Sequence, residues 1–284
     1  MIEPGAPNAV LQGFIDKWLA AQPQQRVALA FVDGRRHPGH VALAALEQEL
    51  LSAAYGIREP QVAAAKLGWW AEELAGAAAS GGRHPLTQLL FEDAQGRSIA
   101  TELWLAPVLA AMAQLEQGTA ADYRAQLEAA APLHGALAAL ETAWWYGPGA
   151  SPERAARVAV LNHLLHALLH LDADAERDRL PLPMARLARY GLDRAQLRRP
   201  GEARQAALQA QLQDLLEDWR AAASLHGPLS VFRALEAAHA RTLARRALRS
   251  GDLLATLQAG QARTHWATPL RAWQAARAWR RQAP

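Results

Sequence analysis

The sequence predicts an all-α protein, and three observations support this fold class. Alanine, leucine, glutamine, glutamate and arginine, which favour helices, dominate almost every segment. The breaks between segments are clusters of glycine, proline, aspartate and serine, which are typical of helix ends and turns. No alternating run of β-branched residues persists, and the one strand-like stretch, Val27 to Val32, fits a helical turn equally well.

The helices of the N-terminal half are placed by these breaks. Proline is well tolerated in a first helical turn because its missing N–H would have no partner there, so Pro60 marks a helix start. A proline deep inside a helix removes a hydrogen bond, so we expect a kink at Pro107 and an interruption at Pro132. The predicted helices are Ala9–Ala21, His40–Ala54, Glu59–Ala79, Pro85–Glu92, Ile99–Glu116 and Ala120–Tyr146.

The break GPGASPE, residues 147–153, contains both a helix stop and a new start. We expect Ser151 to cap the next helix, with Pro152 at its first position and Glu153 in its first turn. This helix should run to about Asp174 and end before the sequence LPLP. Without a fixed-period repeat or a long linker, residues 1–284 are predicted to form a single domain. The remaining predicted helices are Met184–Tyr190, Glu202–Ser224, Leu229–Leu248 and Thr264–Arg281.

A stripe of polar side chains follows one side of the helix that starts at about Glu153. At ~100° per residue, His163, His166, His170 and Asp174 fall within about 80° of one another. Leucines occupy the other sides of this helix. The stripe therefore faces either solvent or a polar cavity inside a helical bundle, and the periodicity does not decide between them.

The composition excludes several functional classes. The chain contains no cysteine, so disulfides, thiolate metal sites and cysteine nucleophiles are ruled out. The net charge is only +3 and the arginines form short, scattered clusters, so nucleic acid is not an expected partner. The N-terminus lacks the pattern of a signal peptide, and no apolar stretch approaches the roughly 18 residues of a spanning helix. We therefore expect a cytoplasmic protein.

Three stretches carry a further pattern, namely Ala45–Leu74, Gly81–Leu90 and Asp178–Leu197. In their order and spacing they resemble the squalene/phytoene synthase family, and in particular its divergent branch that includes the complex I assembly-factor-like proteins. The last stretch, DRLPLPMARLARYGLDRAQL, is similar to the segment that follows the family's second aspartate motif. The resemblance implies the isoprenoid synthase fold, in which α-helices form a bundle around a central cavity.

The same resemblance identifies the residues that would carry the chemistry. In active members, two aspartate-rich motifs on facing helices hold Mg²⁺ ions, which bind a prenyl diphosphate and assist its departure. Hard cations prefer carboxylate and phosphate oxygens, so this chemistry depends on the aspartates. In this chain Leu51, Ser52 and Tyr55 stand where the first motif has acids. In the second motif, His170 replaces the first aspartate and Asp174 keeps the second.

These departures predict that Mg²⁺-dependent ionisation of a diphosphate has been lost. Imidazole is a poor ligand for Mg²⁺, and a single aspartate cannot organise a cluster of these ions. We therefore expect a pseudoenzyme that needs no cofactor and serves as a scaffold or as a binding protein for a lipid-like or isoprenoid ligand. A protein partner and a peripheral membrane contact are compatible with this role.

Two alternatives stay open. The first is an active farnesyl or geranylgeranyl transferase, in which Glu47, Glu49 and Asp174 supply carboxylates for Mg²⁺ and arginines bind the diphosphate. The second is a metal-binding protein in which His166, His170 and Asp174 hold Zn²⁺ with help from neighbouring helices. The candidate cavity residues for the three hypotheses together are Glu47, Glu49, Tyr55, His134, His163, His166, His170 and Asp174.

Overall fold

The structure, a computed structural model, describes residues 6–176 and 180–282, and it confirms the all-α class. Within these ranges the chain forms α-helices and one π-helical turn, Ser52–Gly56, and no strand. Helices α1 to α8 are Ala6–Ala21, Gln25–Ala28, Pro38–Leu51, Pro60–Ser80, Pro85–Glu92, Ala94–Ser98, Thr101–Gln114 and Tyr123–Tyr146. Helices α9 to α16 are Glu153–Leu169, Leu171–Glu176, Met184–Arg189, Arg194–Leu197, Glu202–Ala222, Val231–Ala247, Leu253–Gln261 and Thr268–Gln282.

Side-chain caps fix the starts of several helices in the structure, among them α8, α14 and α15. The carboxylate of Asp122 accepts a hydrogen bond from the backbone at the start of α8, and that of Asp252 does so at the start of α15. The hydroxyl of Ser230 accepts a bond of 2.9 Å from the backbone N–H of Arg233 in α14. Each cap satisfies an N–H group that has no partner within the helix. Helices α8 and α14, which later contribute to the site, thus begin at defined residues.

The structure corrects several predicted helix boundaries. Pro132 lies inside α8 and does not interrupt it, because α8 packs along both α7 and α9 and these contacts hold the helix across the lost hydrogen bond. The strand-like stretch from Val27 to Val32 begins in the short helix α2 and continues as turns. Ser151 does not cap α9, since Pro152 occupies the cap position. Helix α15 was not predicted, although Asp252 offered a cap signal.

The helix with the histidine stripe ends earlier than predicted. Helix α9 stops at Leu169, His170 leaves the helical conformation, and α10 begins at Leu171. A continuous helix would have placed Asp172 and Asp174 at its C-terminus, where the helix dipole disfavours negative charge. The break instead places both aspartates in the first turn of α10, where the dipole favours them.

Two large clusters of buried side chains form the core, with a small third cluster of Ala138, Ala155 and Ala159. One cluster joins α1, α3, α4, α5, α7 and α16, and the other joins α9, α13 and α15. Helices α8 and α14 contribute to both: Leu133 and Leu235 belong to the first cluster, and Ala130 and Leu243 belong to the second. The two clusters therefore meet along these two helices. None of the helices in the described ranges is both long enough and apolar enough to cross a membrane.

Candidate functional site

A cavity of about 590 Å³ lies where the two core clusters meet. Its wall includes residues of α3, the π-helical turn, α8, α9, α10, α14 and the segment 180–183. The structure therefore brings all of the predicted site residues except Glu49 to one cavity. The polar wall residues are Gln22, Gln24, Glu47, Gln48, Ser52, Tyr55, Gln114, Gln117, Thr119, Gln126, His134, Asn162, His163, His166, His170, Asp174, Arg233, Glu236, His239 and Gln261.

Glu49 does not line this cavity, contrary to the prediction. Glu47 and Glu49 are two residues apart on α3, so their side chains point about 200° apart around the helix and cannot share one face. The Glu49 carboxylate is buried and accepts hydrogen bonds from Nζ of Lys66 at 2.9 Å and from Nζ of Lys17 at 3.4 Å. Glu49 thus links α3 to α4 and α1, and it is not available to a ligand in the cavity.

Tyr55, His134 and His163 form an aromatic stack in the cavity wall. The ring centroids of His134 and His163 lie 4.2 Å apart, and those of Tyr55 and His163 lie 4.5 Å apart. The Tyr55 hydroxyl also lies 3.2 Å from Nε2 of His134, within hydrogen-bonding distance. Tyr55 is carried by the π-helical turn, a local feature that often occurs at functional sites. Three different elements therefore build one compact group of polar rings.

Burial keeps the imidazoles of His134 and His163 uncharged at neutral pH. Removal from water disfavours the charged form, and it lowers the pKa of His163 to about 3, with a smaller effect of neighbouring His166. Burial and then the nearby His170 lower the pKa of His166 to about 4. The pKa of His134 lies well below its ordinary value for the same main reason. The wall consequently presents neutral hydrogen-bond donors and acceptors.

The predicted metal ligands His166, His170 and Asp174 do not form a cluster of three. The Nε2 atoms of His166 and His170 lie 3.1 Å apart, so one imidazole donates a hydrogen bond to the other. Asp174 lies in α10, beyond the break at His170. Across residues 6–176 and 180–282, no three histidine, aspartate or glutamate side chains are arranged to hold a metal ion. The Zn²⁺ site is therefore not formed as predicted.

Arg233 is the centre of a buried ionic network at one side of the cavity. Its Nη2 donates to both carboxylate oxygens of Glu47 at 2.8 and 3.0 Å, its Nε donates to Glu141 at 3.0 Å, and its Nη1 donates to Glu236 at 3.2 Å. The Ser230 hydroxyl donates to Glu141 at 2.6 Å. Burial raises the pKa of Glu47 to about 7 and also raises that of Glu236. One guanidinium thus faces three carboxylates.

The acidic segment after α9 is held partly by arginines from other helices. Asp172 pairs with Arg204 at 2.7 Å, and Glu176 pairs with Arg198 at 3.1 Å. These ion pairs connect α10 to α13 and to the residue after α12. The sequence also places two arginines directly beside these acids, where they could compensate the negative charge. The residues concerned, Arg177 and Arg179, lie outside the described residues together with Asp178.

The wall also contains residues that were not predicted from the sequence, among them Asn162, Arg233, Glu236 and His239. The amide of Asn162 is 4% exposed and lies beside Glu236, but neither of its side-chain atoms reaches hydrogen-bonding geometry with a described residue. The Nε2 atom of His239 is likewise buried without such a partner. The spacing of Arg233, Glu236 and His239, at i, i+3 and i+6, was a sequence signal for one face of α14.

The positions that the resemblance assigned to the two aspartate motifs do face one cavity. The wall includes Leu51, Ser52 and Tyr55 at the positions of the first motif. It also includes His170 and Asp174 at the positions of the second motif. A cluster of Mg²⁺ ions needs several carboxylate oxygens that converge from both sides. This wall offers leucine, serine, tyrosine and histidine at those positions and a single carboxylate, Asp174, so the donor set does not fit a cluster of Mg²⁺ ions.

Comparisons with known proteins agree on the fold. No protein-family model matches the sequence, and no curated protein matches it closely. The solved squalene synthase HpnC from Alicyclobacillus acidocaldarius is similar to this chain with a TM-score of 0.60 and 16% identity, over 98% of this chain and 96% of that protein. A dehydrosqualene synthase solved in complex with a ligand has a TM-score of 0.64 and 12% identity, over 95% and 98% of the two chains. The chain therefore has the all-α isoprenoid synthase-like fold of squalene and dehydrosqualene synthases.

Proposed function

We propose that this chain is a divergent relative of the squalene/phytoene synthases that binds a neutral isoprenoid-like lipid and does not ionise a prenyl diphosphate with Mg²⁺. The observation that carries the proposal is that the guanidinium of Arg233 is already bonded to carboxylates of the protein. Among the described residues of the cavity wall, it is the one lysine or arginine side chain, and three glutamates occupy its donors.

The charges of the wall disfavour a diphosphate head group. A diphosphate in an apolar pocket must be neutralised by metal ions or by arginines. Arg233 is already bonded to Glu47, Glu141 and Glu236, and the buried imidazoles are uncharged at neutral pH. The wall also contains Asp174, which would repel an anion. An anionic ligand would therefore gain little from this cavity and would lose its hydration.

The same wall suits an uncharged ligand with a hydroxyl group. A cavity of about 590 Å³ is within the range that binds small molecules, and apolar residues from several helices line it. Neutral histidines can both donate and accept hydrogen bonds. The buried polar atoms of Asn162 and of His239 have no described partner, so a hydroxyl group or a water molecule that bonded them would remove a desolvation cost. A prenyl alcohol combines these properties.

The test compares a prenyl alcohol with its diphosphate. We expect farnesol or geranylgeraniol to remain bound in native mass spectra and farnesyl diphosphate to bind weakly, with no gain on adding Mg²⁺. Ala129→Trp, at a half-buried position in the wall, should abolish binding, whereas Ala206→Trp, at a half-buried position of α13 outside the wall, should not. Robust release of diphosphate with Mg²⁺ would contradict the proposal and favour the active transferase.

Two further predictions remain proposals: the branch of the family to which the chain belongs, and a role as a scaffold. Membership in the branch with the complex I assembly-factor-like proteins is supported only by the sequence stretches Ala45–Leu74, Gly81–Leu90 and Asp178–Leu197. A role as a scaffold for a protein partner stays a prediction on the same basis. A pull-down that recovers the same partner with the parent and with Ala129→Trp would support a scaffold role that does not depend on the lipid.

A further inference from the structure

A row of apolar side chains covers the outer side of α16 and the turn before it. Trp266, Leu270 and Trp273 are 84%, 53% and 43% exposed. The spacing of three residues places Leu270 and Trp273 on one side of α16, and Trp266 lies in the turn just before this helix. The opposite side of α16 packs against the core through Ala272 and Ala276. We name the exposed row the tryptophan face. Two exposed tryptophans beside an exposed leucine are unusual for a surface that contacts only water.

Arginines border the tryptophan face, and the stretch of sequence that carries it contains no acidic residue. After Asp252 the sequence contains no aspartate or glutamate, and its charged residues there are all arginines. The guanidinium of Arg277 lies 5.4 Å from the ring centroid of Trp273, at the next turn of the same side. Arg263 precedes Trp266 in the connection from α15. The face therefore combines large apolar groups with positive charge.

A second group of arginines adjoins the start of α16. Nη1 of Arg271 donates to the Thr242 hydroxyl at 2.8 Å, which fixes the beginning of α16 on α14. Besides burial, the charges of Arg245, Arg271 and Arg154 lower the pKa of Arg241. Like charges at close range repel, and the charges that shift this pKa are all arginines. An anion from outside the protein would relieve this repulsion.

We propose that the tryptophan face and its bordering arginines dock the protein on the surface of an anionic lipid bilayer. Tryptophan is favoured at the boundary between lipid and water because its ring is apolar and its N–H is polar. Arginine can extend its apolar stem along the lipid while its guanidinium binds phosphate. A nucleic acid would use the same charges but would leave the aliphatic side chain of Leu270 without a favourable contact. The bilayer therefore fits the whole face.

Docking in this way would bring the bilayer near the cavity. Gln261, at the end of α15, lines the cavity, and the chain continues from there to Trp266 within a few residues. A lipid-like ligand would then have a short path between the bilayer and the protein. The docking proposal does not depend on this path, because the exposed tryptophans and the arginines support it independently of what the cavity binds.

The test is co-sedimentation of the full chain with vesicles. We expect binding to phosphatidylcholine vesicles that contain ~30% phosphatidylglycerol, weak binding to pure phosphatidylcholine, and release by salt. The double variant Arg263→Gln/Arg277→Gln should bind the anionic vesicles more than tenfold more weakly, since each arginine near such a surface contributes about fivefold. Trp266→Ser/Trp273→Ser should reduce binding at least as much.

The matched control is Trp69→Ser/Leu109→Ser, which removes exposed apolar side chains of α4 and α7. It should bind vesicles as the parent does. Equal loss in this control, equal binding of the parent to pure phosphatidylcholine, or stronger retention on duplex DNA than on anionic vesicles would overturn the docking proposal. Farnesol binding serves as the second readout, because Trp266→Ser/Trp273→Ser should keep it, so failure of docking and failure of the cavity proposal are distinguishable.

Discussion

Replacement of Arg233 by methionine should strongly destabilise the protein at neutral pH. The Arg233 side chain is 5% exposed, and those of its partners Glu47 and Glu141 are 15% and 8% exposed. Methionine replaces much of the apolar stem but removes the only charge that balances the three carboxylates of the network. Breaking a buried ion pair by removing one partner costs about 3–5 kcal/mol. Because Glu236 also loses its partner, we expect a value near the upper end of this range.

The cost of Arg233→Met should decrease at acidic pH. Burial raises the pKa of Glu47 to about 7 in the parent, and loss of the guanidinium should raise it further. A carboxyl group whose pKa is raised by folding stabilises the protein below its unfolded pKa, and this contribution is lost as the pH rises through the folded pKa. Near pH 5 the carboxyl of Glu47 is protonated in both proteins. The difference between the two proteins should therefore be smaller there than near pH 8.

Urea unfolding followed by circular dichroism at both pH values measures this difference. The matched control is Arg124→Met, which breaks an ion pair with Glu128 whose side chains are 88% and 64% exposed. Exposed pairs contribute little, so the unfolding midpoint of this variant should hardly change. An equal loss of stability in both variants, or a cost of Arg233→Met that grows on acidification, would refute the reasoning about the buried network.

Two further predictions concern the buried side chain of His40 and the tightly packed Gly96. Burial lowers the pKa of His40 to about 3, so nuclear magnetic resonance should show no protonation of this ring above about pH 4. Because the unfolded chain binds this proton more readily, His40 should reduce the free energy of unfolding by about 2 kcal/mol between pH 6.5 and 5, and a His40 resonance that titrates near pH 6 would contradict this. Gly96→Ala should cost about 1–3 kcal/mol, since its Cβ would lie 1.8 Å from the carbonyl oxygen of Leu90. Gly76→Ala, in open space within α4, should be neutral or stabilising, and thermal unfolding of the two variants measures the contrast.

Local sequence signals predicted helix bounds correctly where those signals alone determine the structure. Helix α5 has the predicted bounds Pro85–Glu92, because a proline start and a following turn define it. Helix α8 continues through Pro132 because contacts with α7 and α9 outweigh the lost hydrogen bond, and no local signal reports such contacts. The end of α9 depends on the competition between helix continuation and the unfavourable position of Asp172 and Asp174. The sequence indicated this competition but not the residue at which it is resolved.

The sequence predicted which side of α9 carries the polar residues of the candidate site, but it did not predict the ionic network around Arg233. Periodicity placed His163 and His166 on one side of α9, and the cavity lies on that side. The same periodicity should have separated Glu47 from Glu49, which are two residues apart and cannot face one cavity. Arg233 could not be assigned from its sequence context, because its role arises from carboxylates on α3 and α8. Such long-range pairing depends on tertiary structure.

Histidines in the cavity wall change its chemistry through desolvation. Buried aspartates with bound Mg²⁺ remain charged because the ions stabilise the carboxylates. A buried histidine instead loses its proton, so His134 and His163 are neutral without any partner ion. Burial also raises the pKa of Glu47, which favours its neutral form. The same low polarity that would make a diphosphate costly therefore drives these wall groups toward the uncharged state, which suits a neutral ligand better than an anionic one.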